Sequence, residues 1–128
     1  MKLEPDMYVR TKDGDMFILD KIEDNHLIPR YVHIPYIITE EDVLKTSYSI
    51  IDLIEVGDVI TFKNDEDVYR VSCVPNEESA CDCFYLVFNY AIQYGLEDIE
   101  VSKEIMQNTL ESVITREQFE KIAYKVGD

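Results

Sequence analysis

The residue types in this chain that could do chemistry are its carboxylates, three cysteines and two histidines, and spacing decides what they could do. Cys81-Asp82-Cys83 lacks the Cys-x-x-Cys spacing of a zinc site and has no second pair downstream. Alternate residues of a strand share a face, so both thiols could point one way, but two reduced cysteines at a strand start is the simpler reading. His26 and His33 lie seven apart in a stretch broken by Pro29, which offers no regular spacing for a shared metal. There is no Gly-Lys-Ser/Thr phosphate loop, no Gly-x-Gly-x-x-Gly and no Gly-x-Ser-x-Gly. Carboxylates are so numerous that some pair always falls at a catalytic distance, so proximity alone says nothing. The expectation is a protein that is not an enzyme, with no cofactor and no metal.

What remains is charge. Acidic residues outnumber basic ones 27 to 12, a net charge of −15. Phosphate contact needs Lys and Arg to displace counterions, so direct binding of nucleic acid or an anionic membrane is not expected. Proteins with positive surfaces are the expected partners, drawn in by the field. A solvated surface that only maintains solubility is the plain alternative. Residues 40–67 hold nine carboxylates, Glu40, Glu41, Asp42, Asp52, Glu55, Asp58, Asp65, Glu66 and Asp67, against Lys45 and Lys63. Residues 71–102 hold no Lys or Arg, while Glu77, Glu78, Asp82, Glu97, Asp98 and Glu100 are acidic. The candidate partner-binding residues are therefore Glu40, Glu41, Asp42, Asp65, Glu66, Asp67, Glu77, Glu78, Glu97, Asp98 and Glu100. Nine tyrosines without a tryptophan add material for a binding surface, although Tyr85 and others suit a core.

These residues must be positioned by short elements. Ser49 is a candidate cap for one helical turn over 50–54, and Gly57-Asp58 makes a corner. Residues 59–62 and 68–71 read as strands around an Asn64-to-Asp67 turn. The same pattern occurs 52 positions earlier, where 6–11 and 15–22 flank the Asp13-Gly14 turn. Segments 5–22 and 57–74 thus read as one hairpin type used twice, with Gly14 matched to Glu66. Pro29 interrupts two short strands, 26–28 and 30–32, and argues with Pro35 for edge or irregular positions. Thr39 and Asp42 weakly mark a helix start, and a short helix or a strand would fit 40–46.

The apolar run 83–90 reads as a central strand buried on both faces. Ser102 is a plausible cap for a helix over 103–110, with Ile105, Met106, Thr109, Leu110 and Val113 at helical spacing. Thr115-Arg116-Glu117-Gln118 is a capping box opening a shorter helix through Lys121, and 122–126 reads as a closing strand. The expected fold is α+β and mostly β, with SH3-like or small-barrel units, repeated hairpins and few short helices. At 128 residues the chain is one domain, or two β lobes, 1–48 and 49–128, sharing one core. With no apolar run near 18 residues and no basic-then-apolar start, neither a membrane span nor a signal peptide is expected. An odd number of cysteines suits a reducing cytoplasm.

Two stretches, Ile50-Ile51-Asp52-Leu53-Ile54-Glu55-Val56-Gly57-Asp58-Val59 and Val113-Ile114-Thr115-Arg116-Glu117-Gln118-Phe119-Glu120, resemble small acidic proteins of Firmicutes prophages and mobile elements. Tyr8-Val9-Arg10-Thr11-Lys12-Asp13-Gly14 fits the same pattern, while 73–100 has no match in it. The motifs are structural and name no activity. What the resemblance implies is a phage origin, and with it an anti-CRISPR-type inhibitor acting in the bacterial cytoplasm. Such an inhibitor would present carboxylates to a CRISPR or other nuclease where nucleic acid normally binds. The alternative is a non-catalytic interaction or scaffold module of a mobile element.

Overall fold

The computed structural model describes residues 2–76, 82–88 and 99–126. Contacts divide the chain into two units, Met1–Leu53 and Ile54–Asp128. The first holds β1 (Tyr8–Thr11), β2 (Met16–Glu23), β3 (His26–Arg30) and β4 (Val43–Ser47). The second holds β5 (Val59–Phe62), β6 (Tyr69–Cys73), β7 (Cys83–Phe88), β8 (Ile99–Ser102), α1 (Lys103–Thr109), β9 (Leu110–Ile114) and α2 (Arg116–Val126). Both sheets are antiparallel, ordered β3-β2-β1-β4 and β8-β7-β6-β5-β9. The fold is α+β and mostly β. The outermost strands of each sheet have one partner apiece among the described residues, so no ladder closes either sheet into a barrel.

In the first unit, Asp13-Gly14 closes the β1–β2 hairpin. Gly14 takes φ +95° and donates its N–H to the Thr11 carbonyl at 3.0 Å. Val9, Phe17, Leu19, Leu27, Ile38 and Val43 form the core. Each such burial contributes about 1.5–3 kcal/mol. Pro29 lies opposite Leu19 on β3, an edge strand whose outer side can do without an N–H. β3 stops at Arg30 because Tyr31 takes φ +69°, so the strand expected over 30–32 does not form. Thr39 and Asp42 make a capping box around a 3₁₀ turn, Glu40–Asp42, and β4 follows at once. The helix and strand readings of 40–46 thus both apply, in succession. A second 3₁₀ turn, Ile50–Leu53, is braced by Ser47. The Ser47 hydroxyl accepts the Ser49 N–H at 3.0 Å and donates to Asp52 at 2.7 Å, while Ser49 supplies its carbonyl to the Asp52 N–H. Arg10, wholly buried, donates Nη1 to the Leu53 carbonyl at 2.9 Å.

In the second unit, Gly57 takes φ +96°, and a Cβ there would lie 3.3 Å from the Arg116 Cβ. Next to it Asp58 is buried on two backbone donors, Glu55 N–H at 2.8 Å and Arg116 N–H at 2.9 Å. β7 is an interior strand as expected, but burial on both faces does not hold. Phe84 and Leu86 are buried, whereas Cys83, Tyr85 and Val87 are half-buried, because an antiparallel sheet packs mainly on one face. Ser102 caps α1 by accepting the Ile105 N–H at 3.2 Å. Leu110 and Val113, expected on a helix face, lie in β9: Leu110 is already extended (φ −61°, ψ 129°) and begins the strand. Thr115 opens α2 by accepting the Gln118 N–H at 3.3 Å. The strand expected over 122–126 is instead the end of α2. Phe119, Ile122 and Val126 recur at helical spacing, and once the cap has nucleated the helix, propagation favours continuing it.

The two units repeat one chain path, and far more of it than a hairpin. Each opens with a turn, Met7 N–H to Glu4 O and Asp58 N–H to Glu55 O, whose third residue has positive φ, Asp6 at 75° and Gly57 at 96°. Tyr8↔Ser47, Val9↔Thr46, Arg10↔Lys45 and Thr11↔Val43 in one match Val59↔Ile114, Ile60↔Val113, Thr61↔Ser112 and Phe62↔Leu110 in the other. The register shifts coincide too, between Arg10/Thr11 and Thr61/Phe62, and between Leu19/Lys21 and Val71/Cys73. The spacing is 51 on the first strand and 52 on the second, so the second hairpin loop is one residue longer. Gly14 therefore matches Asp65, whose N–H likewise bonds the end of the first strand, and not Glu66.

Candidate partner-binding surfaces

The acidic residues singled out from the sequence meet different fates. In the first unit the capping box uses Asp42: its Oδ2 accepts the Thr39 N–H at 2.8 Å and the Thr39 hydroxyl at 3.3 Å. That cap fixes the turn from which Glu40 and Glu41 project, and both are exposed. They stand at the rim of an open cleft of about 410 Å³ lined by Leu3, Ile22, Asn25, Leu27, Thr39, Glu40 and Glu41. Leu27 faces Ile22 across the β2–β3 ladder, and its N–H donates to the Ile38 carbonyl at 2.8 Å. Leu3 packs against the unit's core. The cleft thus has an apolar floor and an acidic rim.

Other carboxylates of this unit are engaged by cations or hydroxyls. Arg30 bridges Asp6 at 2.6 Å and Asp20 at 3.1 Å, and those hydrogen bonds hold its guanidinium above the usual range. Glu23 pairs with Lys21 at 3.0 Å. Glu4 accepts the Tyr48 hydroxyl and pairs with Lys2, and those two bonds, Tyr48 first, hold its carboxyl below the usual range. A tract the sequence reading did not single out is residues 31–37. Tyr31 is 89% exposed there, and Val32, Tyr36 and Ile37 are also exposed. The run of apolar and aromatic residues was its signal, obscured by Pro35 and His33.

In the second unit Asp65 is half-buried and holds its own loop. It accepts the Asp67 N–H at 2.9 Å and the Tyr69 hydroxyl at 2.8 Å, and these bonds, the backbone one first, keep its carboxyl below the usual range. Glu66 is exposed beside it and Asp67 is half-buried. Glu100, on β8 opposite Tyr85, is exposed and hydrogen-bonds the Cys83 thiol. Glu77, Glu78, Glu97 and Asp98 lie outside the described residues, as does Cys81. Phe62, Tyr69, Leu86, Val101 and Ile105 line a smaller apolar cleft of about 250 Å³ with Lys63 and Asp65 at its edge. Phe62 and Tyr69 meet there edge to face, with centroids 5.4 Å apart.

Among the described residues, no group of three or more His, Cys, Asp or Glu side chains is placed to hold a metal ion. No described helix is long and apolar enough to cross a membrane. Glu40, Glu41 and Glu66 are thus carboxylates presented to solvent, while Asp42, also exposed, is engaged in the Thr39 cap and half-buried Asp65 holds its own loop. No family model, curated protein or solved structure matches this chain.

Proposed function

We propose that this chain is a non-catalytic acidic inhibitor, of the kind phages and prophages carry. It occupies a basic nucleic-acid-binding surface of a defence or host protein in the bacterial cytoplasm, as an anti-CRISPR-like nucleic-acid mimic. The observation that carries this reading is the presentation of Glu40, Glu41 and Glu66 to solvent on a chain of net charge −15. The capped 3₁₀ turn holds Glu40 and Glu41 in place, and the Asp65 carboxylate holds the loop that carries Glu66, as an interface requires. Clustered charges within about 8 Å of a partner's escape most screening at physiological salt. In each unit a strand meander returns, after a helical turn, to pair with its first strand, and this supports reading the units as SH3-like interaction modules.

A second reading, a plain interaction or scaffold module, is favoured by the exposed apolar tract over 31–37. Charge reversal separates the two. Glu40→Lys with Glu41→Lys, and separately Glu66→Lys, should weaken partner binding, most strongly at low salt, with circular dichroism unchanged. Binding that survives both reversals and high salt is the outcome for a scaffold module.

A further inference from the structure

We infer that the cleft of the first unit receives one long basic side chain, Arg or Lys, from an extended segment of the partner. The inference rests on the reading of this chain as a binder of basic surfaces, and it names the place of contact. The walls match that side chain part by part. Leu3, Ile22 and Leu27 offer an apolar floor for the aliphatic stem, and Glu40 and Glu41 meet the cation at the rim. The volume of about 410 Å³ falls at the lower end of the range for ligand pockets, about 300–1,000 Å³. A long side chain with a little of its flanking backbone fits within that room.

The surrounding charges favour the same occupant. Among the described residues no Lys or Arg lines the cleft, and the lysines next to its walls in sequence are engaged, Lys2 with Glu4 and Lys21 with Glu23. With Glu23 paired to Lys21, Asp24, in the exposed β2–β3 turn that also supplies Asn25, extends the negative field beyond the rim. An acidic or neutral polar segment would have to desolvate against the leucines while facing two carboxylates. A purely apolar one would leave those carboxylates stripped of water.

The test uses the full chain and two synthetic peptides, one with a single arginine flanked by glycine and serine, the other with citrulline in its place. Citrulline keeps the shape, removes the charge and retains three of the five N–H donors, with a carbonyl acceptor in place of the other two. Methyl NMR should show saturable shifts at Leu3, Ile22 and Leu27 with the arginine peptide and none with citrulline. Glu40→Gln with Glu41→Gln should weaken that binding by roughly five- to thirtyfold. Ile22→Ser, at an exposed position, should weaken it while leaving the spectrum otherwise intact. Equal shifts with both peptides would overturn the inference. So would methyl shifts confined to Val68, near Glu66, and that result would leave the inhibitor reading standing. Should neither peptide nor any basic protein bind at any site, the cleft and the inhibitor reading fall together.

Discussion

The Asp58 carboxylate accepts the backbone N–H of Arg116 at 2.9 Å, pinning the start of α2 to the corner that opens the second unit. Its other oxygen takes the Glu55 N–H at 2.8 Å, so a single buried side chain closes the corner and caps the helix. An anion at a helix N-terminus is the favourable sign. The first unit uses the opposite charge for a related task, with buried Arg10 donating to the Leu53 carbonyl at the end of a 3₁₀ turn.

Asp58→Ala strands two backbone donors and is expected to cost about 2–4 kcal/mol, read as a lower urea midpoint with an unchanged slope. Asp58→Asn keeps one acceptor and should cost less. A loss under about 0.5 kcal/mol for the alanine variant would show that solvent replaces the carboxylate.

Much of this frame was legible in the sequence because it is local. Asp13-Gly14, Gly57, Thr39 with Asp42, Ser102 and Thr115 each signal a turn or cap through chemistry confined to four residues. The strand at 110–114 and the helical end at 122–126 were not legible. Short apolar stretches fit either period, and strand pairing of Leu110 with Phe62 and a cap upstream of Ile122 decided them. The repeat was visible only as a hairpin, since its later parts match in register and not in residue type. Of the site, exposed and engaged carboxylates look alike in a sequence. Only the folded turn shows that Asp65 is bonded to Tyr69 while Glu66 faces solvent.

The Asp65 carboxyl sits below its ordinary value, first through the Asp67 N–H and then through the Tyr69 hydroxyl. A carboxyl lowered by folding contributes stability that is present above its unfolded value, about 4, and lost as pH falls through the folded value. Carboxyl NMR titration should place Asp65 below an unstructured aspartate. Tyr69→Phe should move it upward and shallow the acid limb of the stability curve. An unmoved titration would remove the hydroxyl as a cause.

The Cys83 thiol is pushed up to about 11, chiefly by its hydrogen bond to Glu100, then by desolvation and by Asp82. Its neutral form is favoured in the fold, so the contribution to stability is full below the ordinary value of 9.0 and lost as pH rises through about 11. Near pH 8, alkylation by iodoacetamide followed by mass spectrometry should find Cys83 roughly a hundredfold slower than in the urea-unfolded chain. Glu100→Gln should restore much of that rate. Equal rates in the folded and unfolded chain would contradict the Glu100 contact.

Competition for a captured partner tests the proposed inhibition most directly. The immobilised chain is loaded with a basic protein captured from a Firmicutes lysate and identified, and a DNA or RNA duplex that this protein binds is then titrated in. Nucleic acid should displace the partner one for one, with an apparent affinity for the chain that falls steeply as salt rises. A ternary complex, with nucleic acid bound beside this chain and no partner released, would contradict mimicry.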